Sequence, residues 1–221
     1  MPTRIHTPRP HRVADRIVQG WACVPVTILS DVTAGSTLAS PRIRPLRAFD
    51  LGARMVGRAV TGWCERADLG APLHAIDLAG AGDVVVLDAG GDIDTAYVGE
   101  LLCSSARRRK IAGVIVHGAV RDIDTIASWP DFPVFCLGTT ARGPLSKERG
   151  AVNGPIIFGG IAVRPGDIVL GDNDGLAIVP AEDAEAMLTS ALERVRLEER
   201  WAAELAAGGT LTSVFAAPAA I

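Results

Sequence analysis

The hydrophobic pattern in the middle of the chain predicts two buried strands joined by a helix. Residues 84–87 and 111–116 are short apolar runs, and residues 96–110 between them have helical spacing. Nearly continuous apolar runs joined by a helix are typical of parallel strands that are buried on both faces. Ligands in such sheets bind outside the carboxyl ends of the strands. We therefore expect a binding site among residues 88–92 and 117–122, which follow the two runs.

The remaining apolar segments predict a mixed α/β fold. Several short runs are separated by Gly and Asp in the second half of the chain, which favours a β-rich region and a sheet that is not wholly parallel. Further strands are predicted at residues 57–64, 132–137, 155–163, 167–170 and 176–179. Further helices are predicted within residues 24–40, 72–78 and 181–206, and the last has apolar residues at a helical period.

Length and composition favour one domain with terminal extensions. The chain has 221 residues, of which 48% are hydrophobic, and this is enough to bury a sizeable core. We divide it into an N-terminal arm (1–20), a main domain (21–180) and a C-terminal helix and tail (181–221). We expect the last segment to pack at a subunit interface, because its apolar face exceeds what one small domain needs.

The charge balance favours a small-molecule ligand. The 22 basic and 25 acidic residues give a net charge of -3, so no strong field favours nucleic acid or an anionic membrane. The first 20 residues lack the apolar core of a secretory signal, and no apolar run approaches the length of a membrane span. We therefore expect a cytoplasmic protein without a nucleic-acid or membrane partner.

Residue spacing argues against several common chemistries. The four cysteines are widely spaced and form no CxxC pair, so neither a zinc site nor a disulfide framework is indicated. Gly80-Ala81-Gly82 precedes a strand, whereas a dinucleotide fingerprint follows one. Lys110 and Lys147 are the only lysines, and both lie in polar surroundings that do not suit a Schiff base. Carbonyl chemistry here would need a metal.

Two stretches of the predicted site can carry chemistry. Arg121-Asp122 follows the second strand, and a carboxylate can bind a hard divalent cation while a guanidinium holds a substrate oxygen. The alternative is a local pair that caps the following helix. Gly99–Leu102 lies near the start of the predicted crossover helix, where free N–H groups suit an anion. From the residues alone, however, an ordinary helical turn that buries the two leucines and leaves Glu100 in solvent explains it better. We interpret His117 as structural.

Three motifs carry a resemblance to a known family: GELL at 99–102, GAVRD at 118–122 and RPGD at 164–167. With weaker matches at 30–31, 43–46 and 82–84, the sequence between Leu29 and Pro180 resembles the RraA-like proteins. This family includes the class II 4-hydroxy-4-methyl-2-oxoglutarate (4-carboxy-4-hydroxy-2-oxoadipate) aldolases. The resemblance implies an α/β fold that forms an α/β/β/α sandwich of the swivelling type with mixed sheets. It also implies a homotrimer or hexamer with sites at subunit boundaries.

The resemblance also implies a set of site residues. Asp122 would be the protein ligand of Mg²⁺ or Mn²⁺, with water completing much of the shell. Arg121 would stabilise charge on a substrate oxygen, and Glu100 would orient a water that transfers protons. The loop that binds the pyruvoyl end of the substrate would consist of Gly99, Glu100, Leu101 and Leu102.

The implied activity is metal-dependent cleavage of a 4-hydroxy-2-oxo acid to pyruvate and a second carbonyl compound. Oxaloacetate decarboxylation passes through the same enolate, so one site can perform both reactions. Two alternatives are a non-enzymatic regulator of an RNA-degrading endonuclease and a related lyase or hydrolase on another oxo acid. Such regulators lack the metal-binding Asp, so Asp122 favours an enzyme.

Two positions bear on which substrate the site would accept. Many family members have an acid three residues after the metal ligand, where this chain has Thr125, and Asp124 lies one residue earlier. Arg142 lies in a polar loop, and arginine suits bidentate binding of carboxylates. We hypothesise that Arg142 binds the distal carboxylate of the substrate.

Overall fold

The structure is a computed structural model that describes residues 2–7 and 13–218, so residues 8–12 of the N-terminal arm lie outside it. The strands in these ranges are β1 (Arg4–Ile5), β2 (Arg44–Pro45), β3 (Met55–Trp63), β4 (Asp83–Asp88), β5 (Ala96–Val98), β6 (Gly113–His117), β7 (Ala119–Val120), β8 (Val134–Cys136), β9 (Gly138–Thr139), β10 (Ala151–Val152), β11 (Ile156–Phe158), β12 (Ile161–Val163), β13 (Ile168–Gly171) and β14 (Leu176–Val179). The helices are α1 (Asp15–Trp21), α2 (Val26–Thr33), α3 (Gly70–Leu78), α4 (Glu100–Arg108), α5 (Ile123–Ala127), α6 (Ala184–Ala206) and α7 (Leu211–Val214).

The two predicted central strands pair in parallel, which confirms the crossover prediction. Strand β4 pairs with β6, and β3 and β8 extend the parallel set on either side. The crossover helix α4, however, begins at Glu100 and not at Ala96 as predicted. Residues 96–98 form β5 because all three are buried and two are β-formers, Tyr97 and Val98. The helix starts only after Gly99.

The main sheet is mixed, as the sequence pattern indicated. Within the described ranges it has nine strands, and β10 and β13 pair antiparallel with β3 while β2 pairs antiparallel with β8. Strands β13 and β14 form an antiparallel hairpin, and so do β11 and β12. The predicted strand positions in the second half of the chain are therefore confirmed.

Three hydrophobic clusters define four layers. The first cluster lies between helices α3 to α5 and one face of β4 and β6, where Val85 and Val114 are fully buried. The second lies between the opposite face of these strands and the two hairpins β11–β12 and β13–β14. The third lies between β13–β14 and helices α1, α2 and α6. The order of layers is therefore α/β/β/α, with Val169 and Leu170 of β13 facing opposite clusters.

Both terminal segments contact the domain of the same chain. Strand β1 pairs in parallel with β10, and the apolar face of α6 packs in one cluster with α1 and α2. Ala184, Leu188 and Ala191 of α6 are buried there, in agreement with the predicted helical period. A subunit interface for α6 stays a prediction. Within 2–7 and 13–218, no helix has the length and apolar character needed to span a membrane.

Candidate active site

A small parallel sheet positions the segments that carry the predicted chemistry. Strands β5, β7 and β9 form this sheet, and each follows a different part of the central α/β unit. Gly99 follows β5, Arg121 follows β7 and Thr140 follows β9. Because the strands are parallel, their carboxyl ends lie at one edge, where ligands bind in α/β folds. The three segments therefore meet at that edge.

These segments surround a cleft of about 610 Å³. Its lining carries three carboxylates and one guanidinium, together with hydroxyl and small apolar groups. The lining residues are Glu100, Arg121, Asp122, Ile123, Asp124, Thr125, Thr139, Thr140 and Ala141. A cleft of this size suits a small organic acid.

Asp122 has an unusual backbone and side-chain position. Its φ of 59° and ψ of 39° lie in the left-handed region, which Asp tolerates better than most residues. It stands at the N-cap position of α5 but makes no side-chain cap there. Instead, its Oδ2 accepts a hydrogen bond of 2.9 Å from the N–H of Glu100, at the start of α4. The alternative prediction, a cap on the following helix, is therefore wrong.

Arg121 and Asp122 lie side by side at the cleft. Arg121 Nε is 3.7 Å from Asp122 Oδ2, and the two side chains are 44% and 42% exposed. The N–H of Arg121 bonds to the carbonyl of Val98, which ties the end of β7 to β5. Both charged groups are therefore held at the surface of the cleft by backbone hydrogen bonds.

Gly99 is required by the close approach of these two side chains. A Cβ atom at this position would lie 2.5 Å from Asp122 Oδ2 and 3.0 Å from Arg121 Cγ. Real Cβ atoms do not approach other atoms so closely, so any side chain at Gly99 would displace the carboxylate. The glycine of the GELL motif thus allows α4 to begin against Asp122.

The structure brings together some of the predicted residues and separates others. Glu100 lines the cleft with Arg121 and Asp122. Leu101 is 79% exposed and Leu102 packs partly buried against the core, so neither side chain lines the cleft. Arg142 follows the lining residue Ala141, but its own side chain is not part of the lining.

The first half of the expected site, which follows β4, is separate from this cleft. Residues 88–92 do not line the cleft. His117 Nδ1 lies 2.9 Å from Asp88 Oδ1, and this pair links the ends of β4 and β6. The short strands β5 and β7 carry the chain past that edge, so the cleft forms one layer further out. The interpretation of His117 as structural agrees with this contact.

Sequence reasoning missed four lining residues: Ile123, Thr139, Thr140 and Ala141. The last three belong to or follow β9, which has only two residues and therefore gives no hydrophobic period. The available signal was position, because residues 138–141 follow the predicted strand at 132–137. Residues that follow neighbouring parallel strands lie at the same edge of a sheet, which would have placed these residues beside Arg121.

The residues present fit a divalent cation bound mainly by water and substrate. Among the described residues no group of three or more His, Cys, Asp or Glu side chains is placed to hold a metal. Asp122 Oδ2 is occupied by the N–H of Glu100, while no described residue donates a hydrogen bond to Oδ1. A half-exposed carboxylate with one free oxygen suits a hard cation that retains several waters.

The thiol of Cys103, near the start of α4, is poorly suited to act as a nucleophile. Cys103 lies in the first turns of α4 and is fully buried. Burial, reinforced by the charge of Asp122, raises the pKa of the Cys103 thiol to about 12. The reactive form of cysteine is the thiolate, which is scarce at neutral pH when the pKa is this high.

A buried carboxylate holds the far end of the loop that follows the cleft. Asp68 is fully buried, and its Oδ1 accepts hydrogen bonds from the N–H groups of Gly70 and Arg149. Burial raises the pKa of Asp68, but hydrogen bonds, from Ser146 first and then from the backbone, outweigh it and lower the pKa from 3.8 to about 2. Asp68 thus fastens residues 146–149 to the start of α3.

We expect Asp68→Asn to lower the free energy of unfolding at pH 7 by about 3 kcal/mol, because it breaks a buried charged network. The folded-state pKa is depressed, so the carboxylate stabilises the fold above pH 4 and this contribution falls as pH decreases towards 2. Urea unfolding at pH 7 and pH 3 should therefore show a smaller difference between wild type and variant at pH 3. An equal difference at both values would contradict this account.

One family model matches most of the chain. It is described as RraA-like, Aldolase/RraA, and it matches residues 14–178. This range contains every lining residue of the cleft and the strands of both main hairpins except the last residue of β14, Val179. The match therefore covers the whole cleft around Asp122 and stops before α6.

Individual proteins show the same similarity. A protein of Halalkalibacterium halodurans named "Putative 4-hydroxy-4-methyl-2-oxoglutarate aldolase" is 37% identical over 77% of this chain and 80% of its own length. The structure of an uncharacterized protein from Pseudomonas syringae superposes with a TM-score of 0.80 at 26% identity, over 95% of this chain and 99% of the other. Streptomyces coelicolor RraAS2, titled an unusual member of the RNase ES inhibitor RraA protein family, gives a TM-score of 0.76 at 25% identity, over 86% and 98%.

Proposed function

Because the chain belongs to the RraA-like (Aldolase/RraA) family, we propose that its cleft cleaves a 4-hydroxy-2-oxo acid to pyruvate and a second carbonyl compound with the help of a divalent cation. The observation that carries this proposal is the pairing of Asp122 with Arg121 at the wall of one cleft, 3.7 Å apart. A cation ligand and an oxyanion ligand side by side match the two needs of this reaction, which are chelation of the 2-oxo acid and stabilisation of the enolate.

Asp122 would hold the cation through its free Oδ1, as the one directly coordinating protein group. Mg²⁺ and Mn²⁺ both accept oxygen ligands and retain water, so either agrees with this donor set. When bound, such a cation supplies a Lewis acid worth several kcal/mol towards charge on the 2-oxo group. The hydrogen bond from the N–H of Glu100 fixes the carboxylate in place before the cation arrives.

Arg121 would bind the carboxylate or the developing enolate oxygen of the substrate. Its guanidinium is half exposed at the cleft and carries planar donors that match a carboxylate. As the C3–C4 bond breaks, the electron pair moves into the 2-oxo group, and a fixed positive charge beside that oxygen lowers the barrier. The α4 N-terminus lies next to it and favours negative charge in the same place.

Glu100 would orient the water that transfers protons during the reaction. Cleavage requires loss of the proton from the 4-hydroxyl group and later delivery of a proton to C3 of the enolate. The Glu100 side chain is exposed at the cleft, and its own N–H bonds to Asp122, so it lies close enough to the cation ligand to orient a water there. The same enolate arises when oxaloacetate loses CO₂, so we propose that decarboxylation occurs at this site as a second activity.

Arg142 is proposed to bind the distal carboxylate. Its main-chain carbonyl is fixed by the N–H of Ala96 at 2.9 Å, which places the residue at the rim next to Ala141. For Arg142→Ala we expect KM for a dicarboxylic 4-hydroxy-2-oxo acid to rise about tenfold or more with little change in kcat, since a charge-assisted bidentate contact contributes about 1.5–3 kcal/mol. Steady-state kinetics on a substrate without the distal carboxylate provides the control. Equal KM changes for both substrates, or none, would exclude the role.

The experiment that tests the proposed activity is a pyruvate-release screen. Purified protein is incubated with Mg²⁺ or Mn²⁺ and a panel of 4-hydroxy-2-oxo acids together with oxaloacetate. We expect pyruvate from at least one 4-hydroxy-2-oxo acid, in amounts that EDTA abolishes and added metal restores. Folded protein that releases pyruvate from none of these substrates would refute the proposal.

The similarity to RraAS2 supports a second candidate, a regulator that binds an RNA-degrading endonuclease. A regulator of this kind needs a protein-binding surface and no catalytic cleft. The Asp122→Asn variant therefore distinguishes the two candidates. An enzyme would lose its activity, whereas a regulator would bind its nuclease as before. Absence of turnover in the screen, together with retained binding to such a nuclease in the variant, would favour the regulator.

A further inference from the structure

The guanidinium of Arg121 lies against the main chain of Gly143. A Cβ atom built on Gly143 would be 2.7 Å from Arg121 Nη1 and 3.6 Å from Cζ. The first of these distances is shorter than real Cβ contacts allow. Gly143 does not have the positive φ that excludes side chains, so its backbone would accept alanine. Space for the guanidinium is therefore the reason that a glycine fits here.

A second glycine supports Arg121 from the other end of its side chain. A Cβ atom on Gly99 would be 3.0 Å from Arg121 Cγ and 3.1 Å from Nε. Within the described ranges the guanidinium has only one polar protein contact, the 3.7 Å pairing with Asp122. Arginine has several rotatable bonds and loses considerable rotamer freedom when fixed. Packing against the main chain at Gly99 and Gly143, more than hydrogen bonding, therefore sets the direction of this side chain.

We propose that Gly143 is a positioning residue that acts through Arg121. The loop passes so close to the guanidinium that it forms a wall, and the missing side chain lets the charge point towards Asp122. This inference rests on the proposed function for its effect on rate. The contact between Gly143 and Arg121 is independent of what the cleft binds.

Hydrogen bonds hold the loop on both sides of Gly143, so its main chain cannot easily move away from Arg121. Upstream of Gly143, the N–H of Ala96 bonds to the carbonyl of Arg142 at 2.9 Å, and the N–H of Thr140 bonds to Val120 at 3.1 Å. Downstream, the buried carboxylate of Asp68 holds residue 149. A methyl group on Gly143 would therefore move the flexible end of Arg121 and leave the loop in place.

We expect Gly143→Ala to lower kcat/KM on the order of 100-fold, because a displacement of about 1 Å in a positioning group costs that much. Thermal stability and the affinity for Mn²⁺ should remain those of the wild type, since Asp122 is not touched. Gly138→Ala is the matched control, because a Cβ there would meet only Ile93 at an ordinary 3.6 Å. It lies in the same segment and should keep wild-type kinetics. Wild-type kinetics in Gly143→Ala would overturn the inference.

A double-mutant cycle separates positioning from a general loop effect. In an Arg121→Ala background, Gly143→Ala should cause no further loss of kcat/KM, because the group it displaces is already absent. Losses that multiply would show that Gly143 acts independently of Arg121 and would overturn the inference. A lowered melting temperature in Gly143→Ala would do the same.

An NMR measurement keeps the test independent of catalysis. The Arg121 Nε–H resonance is identified in ¹⁵N-labelled protein by its disappearance in Arg121→Lys. In Gly143→Ala this resonance should shift while it stays unchanged in Gly138→Ala. A shift in protein that turns over no 2-oxo acid would uphold the contact and refute only the proposed activity. An unchanged resonance would refute the positioning role whatever the activity.

Discussion

Asp122→Asn is expected to lower metal-dependent pyruvate release by about a thousandfold while the protein remains folded. A Lewis acid contributes several kcal/mol to enolate formation, and each 1.4 kcal/mol corresponds to a factor of ten in rate. Without the negative charge, the cation loses its one directly coordinating protein group. Aldol cleavage and oxaloacetate decarboxylation should therefore disappear together.

The fold should survive this change for two reasons. Asn tolerates the left-handed conformation observed at position 122, and its amide oxygen can still accept the hydrogen bond from the N–H of Glu100. Mn²⁺ affinity measured by calorimetry should collapse while circular dichroism and melting temperature stay close to wild type. Asp83→Asn is the matched control, because Asp83 Oδ2 also accepts a backbone N–H, from Gly80, outside the cleft. Near-wild-type turnover in folded Asp122→Asn protein would remove Asp122 from the site.

Arg121→Lys is expected to retain the metal and lose about 100-fold in kcat. Lysine keeps the positive charge, but its ammonium is a point charge that cannot present two parallel donors to a carboxylate or an enolate. A loss of about 100-fold corresponds to nearly 3 kcal/mol of stabilisation in the transition state.

The comparison of the two variants separates the two roles. Mn²⁺ affinity should fall in Asp122→Asn and stay unchanged in Arg121→Lys, whereas turnover should fall in both. A parallel loss of metal affinity in Arg121→Lys would mean that the guanidinium orients the Asp122 carboxylate and does not act on the substrate. Unchanged kcat in that variant would show that charge alone is sufficient.

Much of the fold follows from the sequence pattern because the central strands are buried on both faces. Residues 84–87 and 111–116 are apolar without interruption, and the structure pairs them in parallel with α4 on one side. The 23-residue α6 was equally visible, since its apolar residues recur at the helical period and pack on α1 and α2. Burial of this kind leaves a strong local signal in the sequence.

The short elements around the cleft leave no such signal. Strand β5 has three residues inside a segment of apparent helical spacing, and β9 has two, so neither shows a period. Their conformations depend on pairing with β7, which is a contact between distant parts of the chain. Arg121 and Asp122 were found by residue type and position, whereas the role of Gly143 depends entirely on tertiary packing.

The decisive measurement is the rate of pyruvate formation from 4-hydroxy-4-methyl-2-oxoglutarate by metal-stripped protein as Mn²⁺ is added. We expect negligible release without metal, a saturable rise as the cation binds, and no rise in Asp122→Asn protein at the same concentrations. Metal-independent release, or a rise of equal size in the variant, would contradict the assignment of Asp122 as the ligand of a catalytic cation.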